Sequence, residues 1–184
     1  MSGKARTIWV LLALLVGSAL PVHGQTQSWK DVQVEDIRTM HSKFRGLAEA
    51  FDESQYDWRP MEGVRSVREV LGLAVAEAHL FPTGWGYDAP PSSAPGFGAE
   101  LERAAGLSKA EMIAELDVSF DFLIEIVEGM SEEKRMSAGE YFGTPMPVHA
   151  SVATAMNDMH EHLGQLIAYA RTNQVVPPWS RGNG

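Results

Sequence analysis

The stretch MNDMHEHLGQLIAYAR, residues 156–171, decides the fold because its apolar and polar residues separate onto different sides of a helix. A helix turns about 100° per residue, so apolar residues spaced three and four positions apart share one face. The pattern therefore predicts an amphipathic helix that packs one face against a core. The residues of that apolar stripe are Val152, Met156, Met159, Leu163, Leu166, Ile167 and Ala170.

A polar edge runs along the same predicted helix. Asp158, His162 and Gln165 are spaced by four and three positions, so they lie on one line beside the apolar stripe. A carboxylate and an imidazole one turn apart can bind the same divalent cation, and zinc accepts both ligand types. The alternative is a half-solvated hydrogen-bonded pair. His160 points to the other edge of the stripe, so it cannot join His162 on one metal ion.

The beginning of the chain has the pattern of an export signal. Lys4 and Arg6 precede a short apolar run at residues 8–16, and helix-breaking and small residues follow it. The run is too short for a confident membrane span. We therefore expect a signal peptide over residues 1–24, then one domain over residues 25–184 that is periplasmic or extracellular and free of the membrane. The alternative is an uncleaved N-terminal anchor.

Composition narrows the classes of function. The chain has 184 residues, no cysteine and a formal net charge of −9. Loss of Lys4 and Arg6 with the signal would take that charge from −9 to −11, because no acidic residue precedes residue 25. Such an acidic protein has no electrostatic support for binding nucleic acid. The absence of cysteine excludes a disulfide framework and a thiol nucleophile. A small-molecule substrate and a homodimer remain compatible with the sequence.

Three further amphipathic helices precede the last one. The first covers residues 34–51. The second begins after Ser66, which has a glutamate three positions on and so predicts a capping box, and it is expected to stop at Pro82. The third begins after Ser108, which has the same signature, and ends at Gly129.

Two connectors separate these helices. Residues 87–98 are too rich in Pro, Gly and Ser for a regular element, so they predict a loop that is either a lid over a pocket or an idle crossover. Residues 130–148 form the other connector, with a short extended piece at residues 141–143. The chain is therefore expected to be all-α, a four-helix bundle with one long crossover loop, whose sites are built from inward-pointing side chains.

Three polar residues on the other helices could reach Asp158 and His162. Glu77 and His79 interrupt the apolar half of the second helix, and His41 lies on the apolar face of the first. Each histidine also has an ordinary structural explanation. A lone histidine on an apolar face is more often a satisfied core or boundary residue, and His79 near the end of its helix would interact favourably with the helix dipole.

The sequence resembles the DinB-like family in four segments. They are YDWRP at residues 56–60, SVREVL at residues 66–71, HEHLGQLIAYAR at residues 160–171 and VVPPWS at residues 175–180. The resemblance implies an up-and-down four-helix bundle that holds a divalent metal ion, often zinc or nickel, through three side chains. It also implies either a metal-dependent hydrolase or a transferase that uses a low-molecular-weight thiol.

The resemblance also assigns roles to particular residues. It implies that Asp158 and His162 are metal ligands and that Gln165 completes the motif and orients a ligand. The family's third ligand is a histidine on the second helix, but a gapless alignment places Leu73 at that position.

The missing ligand leaves two hypotheses open. In the first, His79, Asp158 and His162 bind the metal ion, with Glu77 or His41 as alternatives to His79. Hydrolysis fits an exported protein better than thiol transfer does, because low-molecular-weight thiols are chiefly intracellular.

In the second hypothesis the bundle has lost the site and acts as a binding or interaction module. Such a module would expose large aromatic side chains near the loop and the tail, and the candidates are Trp85, Phe97 and Trp179.

Overall fold

The structure, a computed structural model, describes residues 27–182. The predicted signal peptide, residues 1–24, lies outside this range, so export stays a prediction. No helix in the described part of the chain is long and apolar enough to cross a membrane. In chain order the elements are α1 (Trp29–Ala50), α2 (Val67–Gly84), α3 (Phe97–Ala105), α4 (Lys109–Gly129), α5 (Glu132–Met136), β1 (Ala138–Tyr141), β2 (Thr144–Pro147) and α6 (Val148–Thr172).

Four long helices, α1, α2, α4 and α6, form the predicted bundle. Helices α1 and α2 each pack against both α4 and α6, so the four apolar faces meet in one core. Phe44 of α1, Leu71 of α2, Phe120 of α4 and Leu163 of α6 are all buried in that core. The four-helix bundle expected from the sequence is confirmed, and the apolar stripe of α6 faces inward as its spacing predicted.

Side-chain caps fix where these helices begin. The Ser66 hydroxyl accepts a hydrogen bond from the Glu69 N–H at 3.2 Å, and the Glu69 carboxylate accepts one from the Ser66 N–H at 2.6 Å. Ser108 makes the same capping box at the start of α4. A third capping box, between Ser28 and Asp31, begins α1 at Trp29, five residues before the predicted start. Each cap satisfies backbone N–H groups that the first helical turn leaves without partners.

Helix α2 does not stop at Pro82 as predicted but ends two residues later, at Gly84. Trp85 follows, and its side chain is only 1% exposed. Its indole N–H donates to the Ser151 hydroxyl on α6 at 2.9 Å. This anchor ties the end of α2 to α6, the helix that carries Asp158 and His162.

Two smaller structures occupy the connectors. The predicted loop at residues 87–98 leads into α3, which was not expected and which packs against α2. Gly72 permits that contact, because a Cβ built there would lie 3.2 Å from the Ala104 Cβ. In the second connector, β1 and β2 form an antiparallel hairpin in which Tyr141 lies opposite Thr144. The short extended piece at residues 141–143 is thus the tip of a hairpin, and it places Tyr141 beside α6.

Candidate metal centre

Three polar side chains meet where α2 packs against α6. Glu77, Asp158 and His162 each offer one ligand atom, and these atoms all lie within 4.8 Å of one another. The Glu77 Oε1 atom is 3.0 Å from the His162 Nε2 atom, and the Asp158 Oδ1 atom is 3.6 Å from the same nitrogen. One imidazole nitrogen and two carboxylates therefore converge on a small region between two helices.

The three side chains differ in their access to solvent. The Glu77 side chain is 1% exposed, whereas those of His162 and Asp158 are 17% and 27% exposed. The Glu77 Oε2 atom is buried and has no hydrogen-bond partner among the described residues. Buried carboxylate oxygens are normally paired, because taking a charge out of water without a partner is costly. A cation held by the three side chains would supply that partner and remain open to solvent on the side of Asp158 and His162.

Glu77 and His162 strongly influence each other's protonation. Burial raises the pKa of the Glu77 carboxyl by more than the hydrogen bond and charge of His162 lower it. Burial alone would lower the pKa of His162, but the hydrogen bond and charge of Glu77, together with the charge of Asp158, outweigh it and raise that pKa. The pair therefore binds protons more tightly than the same two groups do in water, and a metal ion would compete with protons for these atoms.

Tyr141 from the hairpin holds the carboxylate of Asp158 in place. Its hydroxyl donates a hydrogen bond to the Asp158 Oδ2 atom at 2.6 Å. Burial, followed by the hydrogen bond to Asp158, raises the pKa of the Tyr141 phenol, so the hydroxyl stays protonated and remains a donor. With Oδ2 engaged, Oδ1 is the oxygen that faces His162. The sequence does not predict Tyr141 at this place, because nothing in the connector's pattern indicates that its hairpin folds back onto α6.

Gln165 does not orient either Asp158 or His162. Its side-chain amide donates to the Tyr169 hydroxyl at 2.6 Å, and that hydroxyl donates to the backbone carbonyl of Arg65 at 2.9 Å. This relay attaches the connector before α2 to α6. It also keeps Arg65 near the centre, where its positive charge lowers the pKa of both Glu77 and His162.

His79, the third ligand expected from the sequence, does not join Asp158 and His162. Its Nδ1 atom lies 2.9 Å from the Glu100 Oε1 atom, in a separate group between α2, α3 and α4. The reason is helical geometry: His79 is two positions after Glu77, which is a rotation of about 200° around the helix. Since Glu77 faces α6, His79 must face away from it. The expected third position is occupied by Glu77, the alternative that the sequence left open.

The group around His79 already contains a positive charge supplied by the protein. The Arg103 guanidinium lies 2.6 Å from a Glu100 oxygen and 2.7 Å from a Glu115 oxygen. Burial alone would raise the pKa of Glu100, but hydrogen bonds from Arg103, the Ala94 N–H and His79 outweigh it and lower that pKa to about 2. This group is therefore an ionic clamp that fastens α3 to its two neighbours.

His41, the other alternative ligand, also lies outside the centre. Its Nε2 atom is 2.8 Å from the Asp117 Oδ1 atom, and its ring stacks on Phe120 with the ring centroids 5.1 Å apart. These contacts belong to the packing of α1 against α4. They match the ordinary structural explanation for a histidine on an apolar helical face.

Comparison with known proteins identifies the family. The model of the DinB superfamily matches residues 36–166, which run from α1 into α6 and contain the whole candidate centre. The chain belongs to the DinB superfamily. No curated protein matches the sequence.

Solved structures of the DinB superfamily share the fold at low sequence identity. A DinB-like protein from Bacillus cereus is 14% identical, covers 79% of this chain and 93% of its own, and has a TM-score of 0.64. YfiT from Bacillus subtilis, described as a probable metal-dependent hydrolase with an unusual four-helix bundle topology, is 15% identical, covers 88% of this chain and 97% of its own, and has a TM-score of 0.63.

A third structural neighbour is described as an isomerase. The mycothiol-dependent maleylpyruvate isomerase is 15% identical, covers 74% of this chain and 60% of its own, and has a TM-score of 0.56. At such identities the similarity establishes the fold alone. The chemistry of this member of the superfamily has to be argued from its own side chains.

The resemblance implies a histidine ligand on the second helix, at the position of Leu73. Leu73 is 2% exposed and has no ligand atom to offer. Glu77 follows it by four residues, so it lies one turn further along the same face of α2. The centre therefore combines one histidine with two carboxylates.

Proposed function

We propose that Glu77, Asp158 and His162 bind one divalent metal ion and that the protein is a metal-dependent hydrolase. The observation that supports this most directly is the buried Glu77 Oε2 atom, which has no hydrogen-bond partner among residues 27–182 and lies beside a carboxylate and an imidazole. Catalytic zinc sites commonly use three protein ligands and leave one position open. Zinc and nickel are the candidate ions, since both bind imidazole and zinc also binds carboxylate.

The side chains around the centre have distinct tasks in this proposal. A bound ion would act as a Lewis acid that polarises a substrate oxygen and makes water acidic enough to lose a proton at neutral pH. Tyr141 holds Asp158 through its hydroxyl, so this ligand keeps one orientation. The interior position of Glu77 excludes water from one side of the centre, and the partly exposed edges of Asp158 and His162 leave the other side open to substrate.

The proposed location favours hydrolysis over thiol transfer. We propose export because of the signal-like sequence at residues 1–24, and the oxidising exterior is poor in low-molecular-weight thiols. Mass spectrometry of the protein recovered from the periplasm or medium of its host should show an N-terminus near residue 25. Recovery of the uncleaved chain in the membrane fraction would contradict this location.

Bound metal tests the proposed function. The purified protein is incubated with zinc or nickel, freed of excess ion, and assayed for metal content by mass spectrometry and for hydrolysis of a panel of small esters and amides. We expect about one ion per chain. His162→Ala and Glu77→Ala should lose both the ion and any hydrolysis. His160→Ala is the matched control, because it removes an exposed imidazole from the same helix, where it pairs with Asp36.

Two outcomes of this experiment would overturn the proposal. Metal retained by both His162→Ala and Glu77→Ala would place the ion elsewhere. A wild-type protein that binds neither zinc nor nickel would leave the alternative of a non-catalytic interaction module. One of the aromatic side chains that such a module was expected to expose, Trp85, is instead buried and hydrogen-bonded to Ser151.

A further inference from the structure

A cavity of about 260 Å³ lies beside the candidate metal centre, between the end of α2, the loop that follows it and the hairpin. Most of its wall is apolar, and four aromatic rings contribute to it. The aliphatic and aromatic residues of the wall are Leu80, Phe81, Ala89, Phe97, Tyr141 and Phe142. Nothing in the fold of a four-helix bundle requires an aromatic cavity at this end, because the main core is already filled between the long helices.

The cavity and the metal centre share structural elements. The ring of Tyr141 lines the cavity, while its hydroxyl donates to Asp158 in the centre. Phe81 of the cavity follows Glu77 of the centre by one helical turn on α2, and its ring lies 5.6 Å from that of Tyr141. A molecule with one end at the metal ion and a flat group in the cavity would therefore lie near both the hydroxyl and the ring of Tyr141.

Phe142 occupies a backbone conformation that disfavours it. It lies at the hairpin tip with φ of +45°, and Gly143 follows with φ of +77°. Two consecutive positive φ angles are typical of type I′ hairpin turns, which strongly prefer Asn-Gly, and a bulky residue is strained there. Strain of this kind occurs preferentially at functional sites.

The side chain of Phe142 is directed onto the cavity and gains little from burial. It is 60% exposed. Its ring meets those of Phe97, Tyr141 and Phe81 edge-on, at centroid distances of 5.3, 4.8 and 5.7 Å. A residue that is both strained and exposed contributes little to stability, so its position is better explained by what it contacts when the cavity is filled.

The size and chemistry of the cavity specify its occupant. A dry cavity of about 150 Å³ lined by Leu, Ile and Phe holds one benzene molecule, so this larger one has room for a ring with a small substituent. The aromatic walls suit edge-to-face contact with such a ring. We infer that the substrate carries an aromatic ring, bound among Phe81, Phe97, Tyr141 and Phe142, with its reacting carbonyl at the Tyr141 edge.

This inference rests on the proposed function, and two hydroxamates test it on the metal-loaded protein. Acetohydroxamate and benzohydroxamate carry the same two chelating oxygens, but the first carries a methyl group where the second carries a phenyl ring. Isothermal titration should show benzohydroxamate binding at least about tenfold more tightly, as the transfer of a ring out of water predicts. Damage to the metal centre would weaken the binding of both hydroxamates. The readout is therefore the affinity for benzohydroxamate divided by that for acetohydroxamate.

Three variants test whether the preference for the ring arises in the cavity. Phe142→Asn creates the preferred Asn-Gly turn, so it should raise the melting temperature while it lowers the affinity ratio several-fold. Phe97→Ala combined with Phe142→Asn should remove most of the preference for the ring. Trp179→Ala, which removes an exposed aromatic from the C-terminal segment, should leave the ratio unchanged.

Each other outcome has a definite meaning. Equal affinity for the two hydroxamates, or an affinity ratio that survives the loss of both phenylalanine rings, overturns the aromatic substrate but leaves the metal centre intact. Failure of both hydroxamates to bind a protein that contains metal, or failure to load metal at all, overturns the proposed function and this inference with it.

Discussion

At Glu77 a carboxylate lies inside the bundle, with one oxygen 3.0 Å from His162 and the other without a hydrogen-bond partner in the part of the chain that the structure describes. The charges of His162 and Arg65 and the hydrogen bond to His162 do not fully offset the loss of water around this carboxylate. Burial therefore dominates, and the pKa of Glu77 rises. The same contact raises the pKa of His162, so the folded chain holds protons that the unfolded chain releases. Proton binding at these two residues therefore contributes to the stability of the metal-free fold.

The sign of that contribution predicts a pH dependence. Both groups have a folded pKa above their ordinary values of 4.5 and 6.5, so their stabilisation is present below those values and is lost as pH rises through the raised ones. We expect the melting temperature of the metal-free protein, followed by circular dichroism, to fall between about pH 5 and about pH 8. The lowered pKa of Glu100 does not oppose this, because its contribution is lost only as pH falls below 4.5.

A variant separates this pair from the other titrating groups. Glu77→Gln removes the buried carboxyl, so the slope of melting temperature against pH should become shallower. Glu161→Gln, which changes an exposed acid on α6, should leave the slope as it is. A melting temperature that rises across this range in the wild-type protein, or an identical slope in Glu77→Gln, would contradict the assignment.

The hydroxyl of Tyr141 should matter for metal affinity without binding the ion itself. Tyr141→Phe keeps the ring against Phe81 but leaves the Asp158 Oδ2 atom without its 2.6 Å donor. Loss of such an orienting hydrogen bond typically costs about 10-fold to 100-fold in metal affinity. Competition with a chelating dye measures this affinity, and Tyr87→Phe provides the matched control outside the centre. An affinity within about twofold of the wild-type value would show that Asp158 needs no such support.

At the scale of the elements, the sequence predicts those helices whose position depends on interactions between residues close together in the chain. The serine caps at Ser66 and Ser108 and the three- and four-residue apolar spacing locate the four long helices, because these signals act within one helix. The hairpin and α3 escape prediction because tertiary contacts stabilise them. The close approach of Ala104 to Gly72 is such a contact, and no periodic pattern in either segment indicates it.

Helix rotation explains why His79 does not lie beside Asp158 and His162 as the sequence predicts. Asp158 and His162 are both on α6, so their relative position follows from the sequence. Whether Glu77 or His79 of α2 faces them depends on the rotation of α2 within the bundle. A mostly apolar helix such as α2, buried on nearly all sides, does not encode that rotation in its pattern.

The ionic clamp of α3 predicts a large effect on stability. Glu100 is fully buried and accepts hydrogen bonds from Arg103 and His79, so Glu100→Ala would leave the Nδ1 atom of His79 without its partner and the Arg103 guanidinium with Glu115 alone. Breaking a buried pair in this way costs about 3–5 kcal/mol. Glu128→Ala, which breaks a half-exposed pair with Arg38, should cost about 0–1 kcal/mol. Urea unfolding measures both, and similar small losses would show that the buried group contributes no more than a surface pair.

At the scale of the whole molecule, the bundle is conserved in shape far more than in sequence. Neighbours with 14–19% identity superpose with TM-scores of 0.56–0.64. An apolar pattern of the right period is sufficient for such a fold, because many side-chain combinations fill a core of the same volume. The centre depends instead on a few polar residues at fixed places on α2 and α6, so it can change while the fold persists.

A bound ion would join α2 to α6 and should therefore stabilise the whole fold. An ion at about 100 times its dissociation constant adds about 2.7 kcal/mol to the free energy of unfolding. For a domain of this size that raises the melting temperature by about 5–10 °C. Zinc and nickel should both be tried, with magnesium as a control, since magnesium prefers water and oxygen ligands to imidazole.

The increase in melting temperature on metal binding should also depend on pH and on the proposed ligands. Because the ion would compete with protons for the Glu77–His162 pair, the stabilisation by metal should be larger at about pH 8 than at about pH 6. Glu77→Gln should abolish it, while His160→Ala should retain it. A shift of equal size in Glu77→Gln, or one produced equally by magnesium, would show that the ion binds elsewhere on this acidic surface. Differential scanning fluorimetry makes each comparison on the same preparation, so stability without metal is the internal reference for every variant.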